Sequence, residues 1–173
     1  MIEVVYYVAC SMDGFISLPD GSVDWLTRYE KDEEVASEFP DFEESIDAIA
    51  IGSKTYEFML NFPEWPHPGK TCWVFTTRRL ERFSHDIVFT QSTPQQVVAE
   101  AQAKGLRRMW LIGGGHLAAQ FRRAGLITEY VISYVPIILG EGIPLFAPGP
   151  YRTMLSPIEV KQFKCGLVQI RMR

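Results

Sequence analysis

Short apolar runs alternate with helix-like stretches between residues 47 and 135, and this alternation constrains the fold more than any other feature. The runs at 47–51, 71–75, 86–89, 108–112 and 128–135 predict strands because they are rich in β-branched and aromatic residues. Helices are predicted at 53–60, 95–104 and 116–123, the second of them with a Ser-Thr-Pro start and a glycine stop. Strands that alternate with helices form right-handed crossovers, so we expect a mostly parallel sheet.

The segments before residue 47 and after residue 135 predict further strands, helices and loops. Residues 2–10 predict a buried strand and residues 11–24 a long polar loop. Residues 28–46 are acidic and interrupted by Pro40, which predicts two short helices. Residues 136–150 form a loop rich in proline and glycine, and residues 153–173 predict an antiparallel hairpin. With no linker in its 173 residues, the chain is expected to be one domain over 1–173.

Composition disfavours several classes of protein. The net charge of −4 argues against a non-specific nucleic-acid binder. No run approaches the roughly 20 apolar residues of a membrane helix, and the first residues lack the pattern of a secretion signal. Cys10, Cys72 and Cys165 lie in apolar, strand-like runs without Cys-x-x-Cys spacing, and the three histidines lie far apart. We therefore expect reduced thiols, no metal site and a cytoplasmic location.

A turn of three consecutive glycines follows the strand at 109–112. Gly113, Gly114 and Gly115 remove every Cβ from this turn, so the backbone can contact a ligand directly. The helix that follows, from His116 and Leu117, presents its first amides to that ligand with a partial positive charge. This geometry suits a pyrophosphate, and the alternative is a flexible turn between a strand and a helix.

A second strand end carries Gly52, Ser53, Lys54 and Thr55 directly after Ile51. The segment resembles the last part of a P-loop, but the upstream glycine is missing, which excludes a nucleoside triphosphatase. A glycine, a hydroxyl and a lysine at a helix start still form a possible anion site. The alternative is an N-capped helix with a solvated lysine.

A third strand end carries Thr76, Thr77 and Arg78, followed by Arg79. Two hydroxyls and two guanidinium groups suit a phosphate monoester, and the alternative is a basic surface turn. This turn has no acidic residue to bind a ribose diol, which favours NADP over NAD. Because ligands of parallel sheets bind at the carboxyl ends of the strands, we expect the three ends to act together.

Two further segments leave alternatives open. Asp24 places a carboxylate beside the indole of Trp25, an arrangement suited to proton delivery or to substrate anchoring. The alternative is that Asp24 caps a helix and Trp25 anchors the core. The loop at 136–150 contains five large apolar residues, which either form a dimer interface or cover the edge of the sheet. These residues are Ile137, Ile138, Leu139, Leu145 and Phe146.

In this order and spacing, the segments resemble the dihydrofolate reductase-like superfamily. Within it, the chain is most similar to stand-alone bacterial proteins related to the C-terminal reductase domain of the bifunctional riboflavin biosynthesis protein. The resemblance rests on residues 11–16, 24–25, 51–56, 74–78, 112–115 and 136–146. It implies a three-layer α/β fold, a mixed, mostly parallel sheet of about eight strands, bound NADPH and often a homodimer.

The resemblance also implies a role for each matched residue. Ala9 and Ile16 would line the nicotinamide, and Gly114, Gly115, His116 and Leu117 would hold the pyrophosphate. Ser53, Lys54 and Thr55 would contact phosphate at the start of a helix. Thr76, Thr77 and Arg78 would contact the adenosine 2′-phosphate. The implied activity is NADPH-dependent reduction of a pyrimidine- or pterin-like substrate, as in 5-amino-6-(5-phosphoribosylamino)uracil reductase. The alternatives are dihydrofolate reductase and an NADP(H)-binding protein without turnover. The segment between Tyr56 and Arg78 contains no arginine that could bind the glutamyl tail of dihydrofolate, which disfavours dihydrofolate reductase.

Overall fold

One mixed sheet of eight strands forms the centre of the molecule, which a computed structural model describes over residues 1–173. The strands are β1 (Glu3–Ser11), β2 (Phe15–Ser17), β3 (Ala48–Gly52), β4 (Thr71–Phe75), β5 (Ile87–Thr90), β6 (Arg108–Gly113), β7 (Glu129–Val135), β8 (Ile143–Pro144), β9 (Pro157–Gln162) and β10 (Val168–Met172). Their order in the main sheet is β5-β4-β3-β6-β1-β7-β10-β9, and β2 pairs separately with β8. The pairs from β5 to β7 are parallel, whereas β10 is antiparallel to both neighbours. The mixed, mostly parallel sheet and the C-terminal hairpin are therefore confirmed.

Helices cover both faces of this sheet. They are α1 (Thr27–Glu30), α2 (Glu33–Ala36), α3 (Phe39–Ser45), α4 (Ser53–Met59), α5 (Pro94–Ala103) and α6 (Gly115–Arg123). Side chains alternate along each strand, so Ala50 joins the core beneath α5 and α6 while its neighbour Ile51 joins the core beneath α3 and α4. The result is the expected three-layer arrangement of the dihydrofolate reductase-like fold. None of the helices combines the length and the apolar character that a membrane span requires.

The acidic segment forms three short helices, so the prediction of two was wrong. Pro40 does not interrupt a helix but lies in the first turn of α3, where a missing amide hydrogen costs nothing. The Asp32 carboxylate accepts hydrogen bonds from the amides of Glu34 and Val35 and so begins α2 separately.

Both long loops contain a short strand that the sequence pattern did not reveal. β2 lies within the segment 11–24, β8 lies within 136–150, and the two pair antiparallel with Phe15 opposite Pro144. Each strand is too short to show periodicity, and each depends on a partner more than 120 residues away. Together they form a ribbon, here called the β2–β8 ribbon.

The three cysteines are all unpaired thiols. Cys10 and Cys72 are buried in strands as expected, but Cys165 lies half-buried in the turn between β9 and β10. Burial raises the pKa of the Cys10 thiol to about 12, which keeps it protonated.

Candidate functional site

The three strand ends singled out in the sequence lie side by side. β3 is paired with both β4 and β6, Gly52 stands opposite Phe75, and Ile51 stands opposite Gly113. Adjacent strands are about 4.8 Å apart, so the three ends lie within about 10 Å of each other. The carboxyl edge of the sheet therefore presents the glycine turn, the start of α4 and the Thr76–Arg78 turn as one continuous surface.

The glycine turn carries no side chains of its own; Gly114 is half-buried, whereas Gly113 and Gly115 are buried. Gly113 has a φ of +125°, which glycine adopts readily, and the bond from Gly113 to Gly114 is cis. Gly114 is the N-cap of α6 and supplies no side-chain cap, so the first amides of the helix have no intrahelical acceptor. A Cβ on Gly52 would lie 3.7 Å from the Gly113 oxygen, which places the two turns in contact.

Gly115 is surrounded by backbone. A Cβ built on it would lie 2.1 Å from the carbonyl oxygen of Pro144 in β8, and the Ala147 amide donates to the Gly115 oxygen at 3.2 Å. The β2–β8 ribbon therefore rests directly on the start of α6. Only glycine fits here, because any side chain would push the ribbon and the helix apart.

The two residues after the glycines contribute differently. The His116 side chain is exposed, whereas the Leu117 side chain is 4% exposed and belongs to the core beneath α6. Leu117 can therefore meet a ligand only through its amide.

A cleft of about 370 Å³ opens at the same edge of the sheet, between the ends of β4 and β5 and the helices α4 and α6. Its lining contains five hydroxyls, two carboxamides and one cation, a polar set suited to a ribose phosphate. The lining residues are Ser53, Phe75, Thr76, Thr77, Arg78, Thr90, Gln91, Ser92 and Gln120.

Five of the nine lining residues were not among the predicted site residues, and one of them, Phe75, is the last residue of β4. Thr90, Gln91 and Ser92 follow β5 at the same edge of the sheet, so the rule that selected the other strand ends could have found them. Gln120 reaches the cleft from the second turn of α6, and no sequence signal indicates it.

Arg78, which lines this cleft, is already bound to a carboxylate of α4. Its Nη1 donates to Oε1 of Glu57 at 2.9 Å and its Nη2 donates to Oε2 at 2.7 Å. The Arg78 guanidinium lowers the pKa of Glu57, and Glu57 raises the pKa of Arg78. The sequence argument for NADP considered only the turn after β4, but α4 brings an acidic residue to the same place. Glu57 lies four residues after Ser53, on the same side of α4.

The start of α4 is open as well. Its N-cap is Gly52, which forms no side-chain hydrogen bond, and the exposed Lys54 matches the solvated lysine of the alternative interpretation. Ser53 faces the cleft, Lys54 is exposed and Thr55 is half-buried.

The β2–β8 ribbon is held over the end of β1 by a carboxylate. Asp13 accepts hydrogen bonds from the amides of Leu139 at 3.1 Å and Gly140 at 2.7 Å. The Ser11 hydroxyl and these amides lower the pKa of Asp13 to about 2. Ile16 on β2 faces the glycine turn, with its Cδ1 3.8 Å from the position of a Cβ on Gly114.

Asp24 and Trp25, the two residues expected to face the substrate, differ in their surroundings. Asp24 is exposed and begins a 3-10 helix (Asp24–Leu26) rather than capping it, since Val23 is the N-cap. Trp25 packs with Ala9 of β1 against a small buried cluster, as the core-anchor alternative requires. Its Nε1 hydrogen is buried and has no acceptor, which leaves a donor available at the carboxyl end of β1.

The apolar loop after β7 packs mostly on its own chain. Phe146 contacts Tyr6 and Tyr130, with ring centroids 5.3 and 6.1 Å apart, and Ile137, Leu139 and Leu145 are half-buried. Only Ile138, which is 75% exposed, projects into solvent. The structure thus favours the interpretation that this loop covers the sheet.

Comparison with known proteins identifies the family of this chain. The family model described as the RibD C-terminal domain matches residues 3–169. The chain belongs to this family. The uncharacterized protein YwjB of Bacillus subtilis (strain 168) is 32% identical over 162 residues, which cover 93% of this chain and 92% of YwjB.

Solved structures agree with this assignment. A putative riboflavin biosynthesis protein from Shewanella sp. PV-4 superposes with a TM-score of 0.87 and 27% identity over 99% of this chain and 98% of that one. The diaminohydroxyphosphoribosylaminopyrimidine deaminase/5-amino-6-(5-phosphoribosylamino)uracil reductase of Thermotoga maritima gives a TM-score of 0.74 at 14% identity. That match covers 99% of this chain and 56% of the longer Thermotoga chain, and it shows the shared fold.

Proposed function

We propose that this member of the RibD C-terminal domain family is an NADPH-dependent reductase acting on a pyrimidine- or pterin-like substrate. The observation that carries the proposal is the juxtaposition of an open glycine turn and a hydroxyl-rich cleft containing an arginine at one edge of the sheet. The family assignment and the reductase named for the Thermotoga relative support the same reaction class.

The residues at this edge fit the cofactor by shape and by donor set. The amides at the start of α6 match a pyrophosphate, since they carry partial positive charge and no side chain caps them. The cleft offers Arg78 and the hydroxyls of Thr76 and Thr77 to the adenosine 2′-phosphate. Its volume of about 370 Å³ lies within the usual range of a small-molecule site, roughly 300–1,000 Å³.

NADPH, when bound, supplies the hydride from its nicotinamide ring. The chain contributes positioning: the glycine turn holds the phosphates, and Ile16 and Ala9 line the nicotinamide side at the end of β1. The β2–β8 ribbon rests on the start of α6 at this end of the sheet. Asp24 is assigned to proton delivery or substrate anchoring, and Trp25 forms the wall beside it.

The cofactor assignment predicts a selective loss in Arg78→Ala. Removal of a charge-assisted contact to phosphate should raise the Kd for NADPH roughly 10- to 100-fold. The Kd for NADH, which has no 2′-phosphate, stays within about threefold. Both values follow from titrations of nucleotide fluorescence.

Arg79→Ala is the matched control, since Arg79 is an exposed neighbour outside the cleft. This variant should retain the Kd of the parent protein for both nucleotides. An equal loss for NADPH and NADH in Arg78→Ala would refute the 2′-phosphate role.

A second candidate function is binding of NADP(H) without turnover. The exposure of Asp24 favours it, because an acid open to water is poorly placed to deliver a proton selectively. Quenching of NADPH fluorescence with no consumption of NADPH across pterin and pyrimidine substrates would support this function. Consumption with any of them would establish the reductase.

We further propose that the protein is a homodimer, with β9 in the contact. β9 is the outer strand of the sheet, and its Ile158 and Val160 are exposed apolar side chains on one face. Light scattering should give twice the chain mass of 19.7 kDa, and the single-chain mass would exclude the dimer.

A further inference from the structure

The Glu57–Arg78 pair occupies the place that the proposed function gives to the 2′-phosphate. Both carboxylate oxygens of Glu57 accept from the two terminal nitrogens of Arg78, at 2.9 and 2.7 Å. This is a two-pronged contact of the kind that a phosphate also makes with arginine. The pair is open to solvent, with side-chain exposures of 40% for Glu57 and 52% for Arg78. An anion arriving from solvent can therefore replace the carboxylate.

Arg78 is the only cationic side chain among the residues that line the cleft. With Glu57 bound, the charge of Arg78 is balanced, and the remaining cation that acts on the Glu57 carboxylate is the exposed Lys54 of α4. The backbone of this turn is fixed separately, since the Arg78 amide donates to Thr76 Oγ1 at 3.0 Å. An exchange of partners thus requires only a movement of the two long side chains.

We propose that Glu57 sets the cofactor preference of the site by competing with the 2′-phosphate for Arg78. This inference rests on the proposed function, because it assumes that a dinucleotide occupies the cleft. When the 2′-phosphate binds, Arg78 turns from Glu57 to the phosphate, and the carboxylate remains as a nearby like charge. When the ribose carries a free 2′-hydroxyl, the Glu57 carboxylate accepts its hydrogen bond. The pair therefore lowers the preference for NADPH below that of an arginine without a carboxylate partner.

The size of the effect follows from the charges. When the 2′-phosphate takes Arg78, the two-pronged contact with Glu57 is lost, whereas in Glu57→Gln this charge-assisted contact is absent from the start. The gain is modest because exposed ion pairs contribute weakly. We expect Glu57→Gln to bind NADPH about three- to fivefold more tightly. NADH should bind equally well or a few-fold more weakly, since an amide is a poorer acceptor than a carboxylate.

The test is a titration of both nucleotides into Glu57→Gln and the parent protein, followed by fluorescence and by calorimetry. Glu100→Gln is the matched control: it also removes one carboxylate from an exposed pair, with Lys104 at 2.7 Å on α5, outside the cleft. A three- to fivefold fall in the Kd for NADPH confined to Glu57→Gln supports the proposal. An unchanged or increased Kd for NADPH overturns it, because Glu57 would then be neutral or would only orient Arg78.

The double variant separates competition from simple repulsion. In the Arg78→Ala background there is no guanidinium to compete for, so most of the effect of Glu57→Gln should disappear. An effect of equal size in that background would show repulsion alone and overturn the competition. A parent protein that binds neither nucleotide would refute the proposed function, whereas NADPH binding that does not respond to Glu57→Gln would refute only this inference.

Discussion

Two arginine–carboxylate clusters lie at opposite edges of the same sheet, and they differ mainly in burial. At the amino edge, Glu129 at the start of β7 is 3% exposed and binds Arg171 at 2.7 Å and Arg173 at 3.0 Å. Arg108 lies 3.7 Å from the same carboxylate. At the carboxyl edge, the Glu57–Arg78 pair is open to solvent, and its arginine lines the cleft.

The difference shows how the surroundings determine what an ion pair does. Burial opposes ionisation of Glu129, but hydrogen bonds from Arg171 and Arg173 and the charge of Arg108 outweigh it and lower the pKa of Glu129. That cluster ties the C-terminal hairpin to β7, and its carboxylate is enclosed by its partners. The exposed pair contributes little to folding but can exchange one anion for another. We therefore assign the amino edge to stability and the carboxyl edge to ligand binding.

The largest expected effect comes from Gly115→Ala, which tests whether packing and binding meet at the glycine turn. A Cβ 2.1 Å from the Pro144 oxygen forces α6 and the β2–β8 ribbon apart, so stability should fall by about 3 kcal/mol, as in severe overpacking. NADPH binding should be lost as well, because the displaced helix carries the amides that are proposed to hold the pyrophosphate. Urea denaturation and nucleotide titration measure the two effects.

Gly114→Ala is the control for this variant. Its Cβ would meet only the Ile16 side chain, at 3.8 Å, and its φ of −79° suits alanine. We expect stability close to that of the parent protein but weaker NADPH binding, because the new methyl group lies over the exposed turn. Equal stability of the two alanine variants would contradict the close contact at Gly115.

A smaller effect is expected for Glu129→Gln at the amino edge. The amide keeps the shape of the side chain but removes the charge that three arginines share, which should cost about 2 kcal/mol of unfolding free energy. This loss of unfolding free energy is smaller than for a fully buried ion pair because the Arg173 side chain is more than half exposed. The Kd for NADPH should not change. A changed Kd would contradict the claim that the amino edge serves stability and the carboxyl edge binds the ligand.

The sequence predicted the elements with strong local signals. β4 has the predicted bounds of 71–75, and α5 begins at the predicted Thr93–Pro94 start, where Thr93 and Gln96 form a reciprocal capping box. The rule that ligand sites follow parallel strands also placed the three loops at one edge, because strand direction follows from the alternation of strands and helices.

The remaining features depend on contacts between distant segments. The β2–β8 ribbon joins residues more than 120 positions apart, and the contact of Glu57 with Arg78 requires α4 to lie beside the end of β4. No local pattern in either segment encodes these pairings. The proton-delivery role of Asp24 stays a prediction, since the structure places this carboxylate in solvent.

The central claim is that one edge of the sheet holds a dinucleotide through backbone amides and an arginine. The measurement that tests it most directly is a crystal structure of the protein soaked with NADPH. Our account predicts the pyrophosphate against the amides of Gly114 and Gly115, and the 2′-phosphate on Arg78, released from Glu57. A nucleotide bound away from the glycine turn, or an Arg78 still paired with Glu57 while the 2′-phosphate lies elsewhere, would contradict it.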